Sequence, residues 1–423
     1  MMKIIELLKA NEAVSNYKIN VNSKESCELF YVKGRLETVR CTDTCDKEVT
    51  VYVNHGDHLG NAQFFVYPSM GEEEIKELIA EAVEKALLIN NKPYTLPEKA
   101  VGEYTVESNF SQFEPMELAK QVADSVFAAN NIENASLNAV EIFINKHTER
   151  VINSLGLDKT QVKYDAMVEA IPTYNGKEQS VELYQQYNFA QFDRETVKKE
   201  ISDKLYEVKA RYEAVKPEEK IDCSVVLIGQ ELAMLMRQIA YDLNYSSVYS
   251  HANLFKKGDH IQKDIKGDAI TITMAGEAKG NIRSSKFDED GMALGSIKVV
   301  ENGKAINYFG ANRFGQYLGE TPTGSLGCTL VDAGTADESV FSGKRLEVIS
   351  MSGLQVDFYS DYIGGEIRLA YYYDGEKMTP VTGISITGKL SDVLNNIRLS
   401  KETTTFGGYI GPKKALVSDM TVF

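Results

Sequence analysis

Few imidazole or thiol side chains in this sequence could ligate a transition metal or attack a carbonyl. The five histidines are His55, His58, His147, His251 and His260, and the five cysteines are Cys27, Cys41, Cys45, Cys223 and Cys328. Neither HExxH nor HExxxH occurs, so no helix presents two imidazoles and a general base together. His55-Gly56-Asp57-His58 could grip a metal in a turn, but reads more simply as a polar hairpin loop. Cys41 and Cys45 lack the second Cys/His pair that would complete a structural zinc site. The stretch from Gly319 to Ser325 looks like a phosphate loop but has no lysine, and reads as a turn between strands. No Gly-x-Gly-x-x-Gly follows a strand, which leaves a dinucleotide fold without support. Cys223 opens an apolar strand and reads as a small core residue, while Cys328 follows a glycine-rich turn that only the fold could bring to His251. Asp288-Glu289-Asp290-Gly291 could hold a hard cation, and is read instead as an exposed turn. Residue spacing alone shows no enzyme.

The chain has 423 residues, with 46 basic and 61 acidic side chains, for a net charge of −15. Non-specific nucleic-acid binding needs clustered Lys and Arg to displace counterions from phosphates. The densest basic run, Lys256-Lys257 with Lys263 and Lys266, also carries Asp259 and Asp264. No direct nucleic-acid partner is expected. A hydrophobic content of 43% supports a large core and excludes disorder for most of the chain. No apolar run approaches the ~18–20 residues of a membrane span, and Met1 to Lys9 is too charged for a secretory h-region. The sparse, odd cysteine count is not a disulfide framework. The expectation is a cytoplasmic protein with reduced thiols and no membrane partner.

The elements that must position these residues fall into two halves. Residues 1–220 hold 7 glycines and residues 221–423 hold 24. Glycine supplies the positive-φ turns of antiparallel structure. The fold class is therefore α+β, with an N-terminal domain of antiparallel strands and helices over 1–218 and a β-rich antiparallel barrel or sheet domain over 219–423. In the first half, a short helix is expected over Lys3–Val14. Strands are expected over Cys27–Lys33, Arg35–Cys41, Lys47–Asn54 and Asn61–Tyr67. Ser69 is placed as the cap of an amphipathic helix whose stripe runs Ile75, Leu78, Ile79, Ala82, Val83, Ala86, Leu87. A second long acidic helix runs from Asp193 to Val215. Glu28-Leu29-Phe30 lies 113 residues before Glu141-Ile142-Phe143, and Glu37-Thr38-Val39 lies 112 before Glu149-Arg150-Val151. This suggests an internal duplication whose two half-buried sheets pair across a shared core.

In the second half, Cys223–Ile228 is a continuous apolar strand and Glu231–Leu243 a helix. Short strands follow at Ala269–Met274, Ser296–Val300, Leu346–Ser350 and Gly365–Tyr373, with Asn302-Gly303 and Asp374-Gly375 as hairpin turns.

This order of segments resembles the TldD/PmbA family, the "modulator of DNA gyrase" family, and more specifically its PmbA or TldE branch. The matching residues include the Glu28–Leu87 block, Phe287-Asp288-Glu289-Asp290-Gly291, Tyr362-Ile363-Gly364-Gly365-Glu366, the run from Pro380 to Leu390, and Gly411-Pro412. The resemblance implies a metallopeptidase complex. TldD-type subunits carry HExxxH on the helix after the first strand of the C-terminal domain, plus a late cysteine, and TldE-type subunits lack both. The corresponding positions here are Arg237, Gln238 and Asp242, and Cys328 is the last cysteine. Arginine stays protonated and offers no lone pair, and glutamine cannot take a proton from bound water. The resemblance thus implies no catalytic residues, metal or cofactor in this chain. Zinc would be held by a TldD-type partner in a heterodimer, or the chain would form a homodimer, with unfolded peptide as substrate. Two alternatives stay open: a hydrolase with its own unrecognised site, and a homo-oligomeric peptide-binding protein. From the residues alone, Arg237 and Asp242 read as an exposed pair on a helix surface.

Overall fold

The computed structural model describes residues 1–129 and 131–423. The N-terminal elements are α1 (Met2–Ala10), β1 (Asn16–Val32), β2 (Arg35–His55), β3 (His58–Val66), α2 (Glu72–Ala86), β4 (Val101–Thr105), α3 (Pro115–Phe127), β5 (Ala135–Asn153), β6 (Asp158–Asn175), β7 (Ser180–Glu182), β8 (Gln185–Phe189) and α4 (Arg194–Glu213). The strands form one eight-stranded sheet with the path β3-β2-β1-β5-β6-β4, and β7 and β8 also pair with β6. Period-2 alternation divides its faces. On β1, Ile19 and Leu29 point into the apolar layer under α1, α2 and α3. Lys18 points the other way, towards the C-terminal half.

Three local expectations are corrected here. Cys41 to Lys47 is not a break, because β2 runs without interruption from Arg35 to His55 against β1. That stretch is polar on both faces, so it carries no burial pattern, yet the ladder to β1 satisfies its backbone. The cap of α2 is Gly71 rather than Ser69, with the Gly71 N–H donating to Glu74 Oε2 at 2.6 Å. In addition, α1 ends at Ala10 rather than Val14.

The suggested duplication takes an unexpected form. β1 and β5 lie side by side and antiparallel, with Glu28 opposite Phe143, Leu29 opposite Ile142 and Phe30 opposite Glu141. The two hairpins thus join edge to edge in one sheet instead of facing each other across a core. The second pair of matching triplets is not equivalent, since Glu37–Val39 lies on β2, beyond the hairpin turn, while Glu149–Val151 is still on β5.

The C-terminal half comprises β9 (Ser224–Ile228), α5 (Gly229–Asp242), α6 (Tyr245–Tyr249), β10 (Ile272–Ala275), β11 (Ser296–Glu301), β12 (Lys304–Ala305), α7 (Asn312–Leu318), β13 (Cys328–Val331), β14 (Arg345–Met351), β15 (Gln355–Asp357), β16 (Tyr362–Tyr373), β17 (Met378–Val381), β18 (Ile384–Lys389), α8 (Leu390–Asn396), β19 (Arg398–Leu399), β20 (Thr403–Phe406), β21 (Tyr409–Pro412), β22 (Lys414–Val417) and β23 (Met420–Val422). They build a six-stranded sheet, β12-β11-β10-β13-β21-β20, and a nine-stranded sheet along β19-β22-β9-β14-β16-β18-β23. Most pairs are antiparallel, while β9–β14 and β13–β21 are parallel. The sheets curl into a half-barrel, and the whole is of the α+β class. β9 reads as an unbroken apolar run because both of its faces are covered. Val225 and Leu227 enter the main core, and Val226 packs on Ala336 and Phe341. Asn302 and Gly303 both have positive φ, 47° and 73°, as the tight turn between β11 and β12 demands.

Candidate functional site

α5 leaves the end of β9 and lays one face into the core between the two C-terminal sheets. Leu232, Leu235, Met236, Ile239 and Ala240 on that face are buried. Its opposite stripe, at i, i+3, i+4 and i+7, is Met234, Arg237, Gln238 and Tyr241, which line a shallow hollow of about 250 Å³. Arg237 and Gln238 are exposed. The Tyr241 ring stands edge-on to Phe309, with centroids 6.0 Å apart.

Asp242 does not join them. Five residues along a helix of 3.6 per turn rotate its side chain ~140° away from Arg237. The carboxylate is buried and accepts from Leu254 N–H at 2.8 Å and Phe255 N–H at 2.9 Å. Burial raises its pKa against those two bonds. The expected exposed Arg237–Asp242 pair is therefore half right: Arg237 faces solvent, and Asp242 fastens the chain that follows α6. At the start of the same helix, burial pushes Glu231 up to about 7, although its carboxylate accepts from its own N–H and that of Met351.

This donor set does not fit zinc. A guanidinium has no lone pair, an amide is a poor ligand, and the one carboxylate is engaged by two backbone donors. Among the described residues, no group of three or more His, Cys, Asp or Glu side chains is placed to hold a metal. His55 and His58 flank a hairpin turn, and His55 Nε2 lies 3.0 Å from the Ile89 carbonyl. Cys328 is buried beside Ser284 Oγ and the Gly276 carbonyl, both at 3.8 Å, and burial pushes its thiol up to about 11. Cys223 is likewise pushed up to about 11 by burial.

Two loop readings change. The Gly319–Ser325 segment connects helix α7 to β13 rather than two strands. Asp288 to Gly291 is an exposed turn only at Glu289. Asp288 is buried and accepts from the N–H groups of Asp290, Met292 and Ser325, while burial pushes it up to about 6. Asp290 pairs with Lys18 at 2.5 Å, and Lys159 Nζ donates to the Gly291 carbonyl at 2.8 Å. The acidic turn is a plug that seats the C-terminal half on the N-terminal sheet.

Sequence reasoning missed a second concavity, on the N-terminal sheet. A cavity of about 510 Å³ lies between the start of α3 and the sheet, lined among others by Cys27, Cys41, Phe110, Phe113 and Tyr164. At its margin, Ser26 Oγ donates to Asn145 Oδ1 at 2.9 Å, Asn145 Nδ2 donates to Asp165 Oδ1 at 2.7 Å, and His147 Nε2 meets Asp165 Oδ2 at 2.7 Å. This is not a nucleophile–base relay, because the serine and histidine sit at opposite ends of it. Asn145 and His147 at alternate positions of β5 were the available signal.

Residues 221–423 match the family model described as the PmbA/TldA metallopeptidase C-terminal domain. The chain is 24% identical over 401 residues to the metalloprotease PmbA homolog of Haemophilus influenzae, covering 86% of this chain and 83% of the relative. Its fold is similar to the crystal structure of TldE from Thermococcus kodakarensis, with a TM-score of 0.79, 15% identity and 99% of each chain covered. It is also similar to a Thermotoga maritima protein named as a candidate modulator of a DNA gyrase, with a TM-score of 0.78, 15% identity, and 100% of this chain and 99% of that one covered.

Proposed function

The chain belongs to the TldD/PmbA family, and from that premise we propose that it is a non-catalytic, TldE/PmbA-like subunit of a cytoplasmic zinc metallopeptidase complex that processes unfolded peptides. The observation that carries this reading is the solvent face of α5. It presents Arg237 and Gln238, and Asp242 is spent on Leu254 and Phe255. Such a face can contact a peptide but cannot activate water on a metal. The zinc and its hydroxide would belong to a TldD-type partner bearing HExxxH.

The role left to this chain is to hold peptide. β20 is the terminal strand of its sheet and approaches α5. An extended peptide adding to the free edge of β20 would gain main-chain hydrogen bonds independent of its sequence. That suits a substrate recognised for being unfolded.

The test is reconstitution. This chain mixed with an HExxxH-bearing relative should give chelator-sensitive peptide cleavage that neither gives alone, and the two should elute together. Equal cleavage by the relative alone would reject the role. Stoichiometric zinc and peptide cleavage in the isolated chain would establish the competing reading, a hydrolase with its own site. A stable self-assembly that ignores the relative would favour a homo-oligomeric binding protein.

A further inference from the structure

β1 and β2 set Cys27 and Cys41 directly opposite each other, with their sulfurs 3.3 Å apart. Directly opposed antiparallel residues hold their Cα atoms ~4.5–5.5 Å apart, inside the ~4.4–6.8 Å range that a disulfide spans. Strand spacing and sulfur separation both suit a disulfide between these two residues. The remaining cysteines are placed differently. Cys45 lies opposite Ser23, four residues along β2 and thus ~13 Å from Cys41 at the rise of a strand. Cys223 packs against the C-terminal core, and Cys328 is buried within that half.

The pair is also accessible. Cys41 is exposed and Cys27 half-buried, and both line the 510 Å³ cavity beside the start of α3. We propose that Cys27 and Cys41 are a thiol-modification site, a dithiol that reacts with a small-molecule disulfide of the glutathione class and closes to a cross-strand disulfide.

In the first step the Cys41 thiolate attacks one sulfur of oxidised glutathione. The S–S bond breaks, and one glutathione leaves as a thiolate that takes up the proton Cys41 lost. Cys27 then loses its proton, attacks Cys41 Sγ in the mixed disulfide and expels the second glutathione thiolate, which takes up that proton. Two protein thiols are oxidised and one glutathione disulfide is reduced to two thiols. Exposure sets the order of attack. Burial and the adjoining Cys41 push the Cys27 thiol up to about 11, which makes the exposed Cys41 the first to react. The new bond pins the ribbon where β2, from Arg35 to Asp46, has β1 on one side and, among the described residues, no strand on the other.

The experiment treats native, pre-reduced protein with oxidised glutathione, then denatures, alkylates, digests and maps it by mass spectrometry. Two thiols should be lost per chain and recovered in one Cys27–Cys41 cross-linked peptide that dithiothreitol releases. Cys27→Ser should stop at a glutathione adduct on Cys41, Cys41→Ser should leave Cys27 free, and Cys45→Ser should behave as wild type. An unchanged thiol count, or a cross-link through Cys45, Cys223 or Cys328, would overturn the proposal. The wild-type result stands even if a variant fails to fold. No peptidase activity is read, so the outcome is independent of the subunit role proposed above.

Discussion

Glu231 stands in the first turn of α5, where a helix N-terminus ordinarily favours an ionised carboxylate. Burial wins here and raises the group from 4.5 to about 7. Well below 4.5 the carboxyl is protonated in both the folded and unfolded chain and costs nothing. As pH rises, the unfolded chain ionises first, so stability falls from about 4.5 until the folded group ionises near 7, and is level above that. The full loss is roughly 3 kcal/mol. Glu231→Gln, which keeps an acceptor for the Met351 N–H, should match wild type in urea unfolding at about pH 4 and exceed it by up to roughly 3 kcal/mol at about pH 8. Parallel pH profiles for the two proteins would refute this. The residues of α5 also show how far side-chain identity goes. The exposure of Arg237 and Gln238 could be read from helical periodicity. The same periodicity puts Asp242 on the buried face, at i+7 from Leu235 and i+3 from Ile239; what it could not report are its partners Leu254 and Phe255, which lie beyond α6.

Elements whose ends are closed by neighbouring residues were legible. α4 begins where its acidic cap stands, with Asp193 Oδ1 accepting from Thr196 N–H at 2.8 Å and Thr196 Oγ1 at 2.7 Å. Asp193→Ala should cost about 1 kcal/mol in global unfolding, and Asp193→Ser should recover most of it; equal losses in the two would rule out the cap. β2 is the opposite case. Its segment Cys41–Lys47 has no apolar alternation, and what makes it a strand is the partner β1, which local patterning cannot report. For the same reason the twin hairpins could be suspected from repeated triplets, while their edge-to-edge junction at β1 and β5 could not.

At the scale of the molecule, the two halves are joined by polar contacts as much as by apolar ones. Lys18–Asp290 and Lys159–Gly291 sit beside the small cluster of Val151, Leu157 and Phe287. Arg313 donates to Asn91 Oδ1 at 2.7 Å, and Lys286 N–H donates to Gln161 Oε1 at 2.8 Å. Lys18→Met strands the Asp290 carboxylate in a site where its side chain is 15% exposed. The expected cost is about 3 kcal/mol, with calorimetric unfolding separating into two transitions. Lys18→Met combined with Asp290→Leu should restore much of the loss, and a double variant as weak as the single would argue against the pairing. The sequence by itself determined the α+β class, the glycine-poor and glycine-rich halves, the helices α2, α4 and α5, and the lack of any HExxxH, since all of these are set by composition, local periodicity and side-chain chemistry. Only the tertiary structure decided that the acidic Asp288–Gly291 turn is an inter-half plug, that Asp242 holds the Leu254 and Phe255 N–H groups, and that Cys27 meets Cys41. Each of those depends on strand register or on contacts across distant parts of the chain, where a shift of one residue would reverse every side chain.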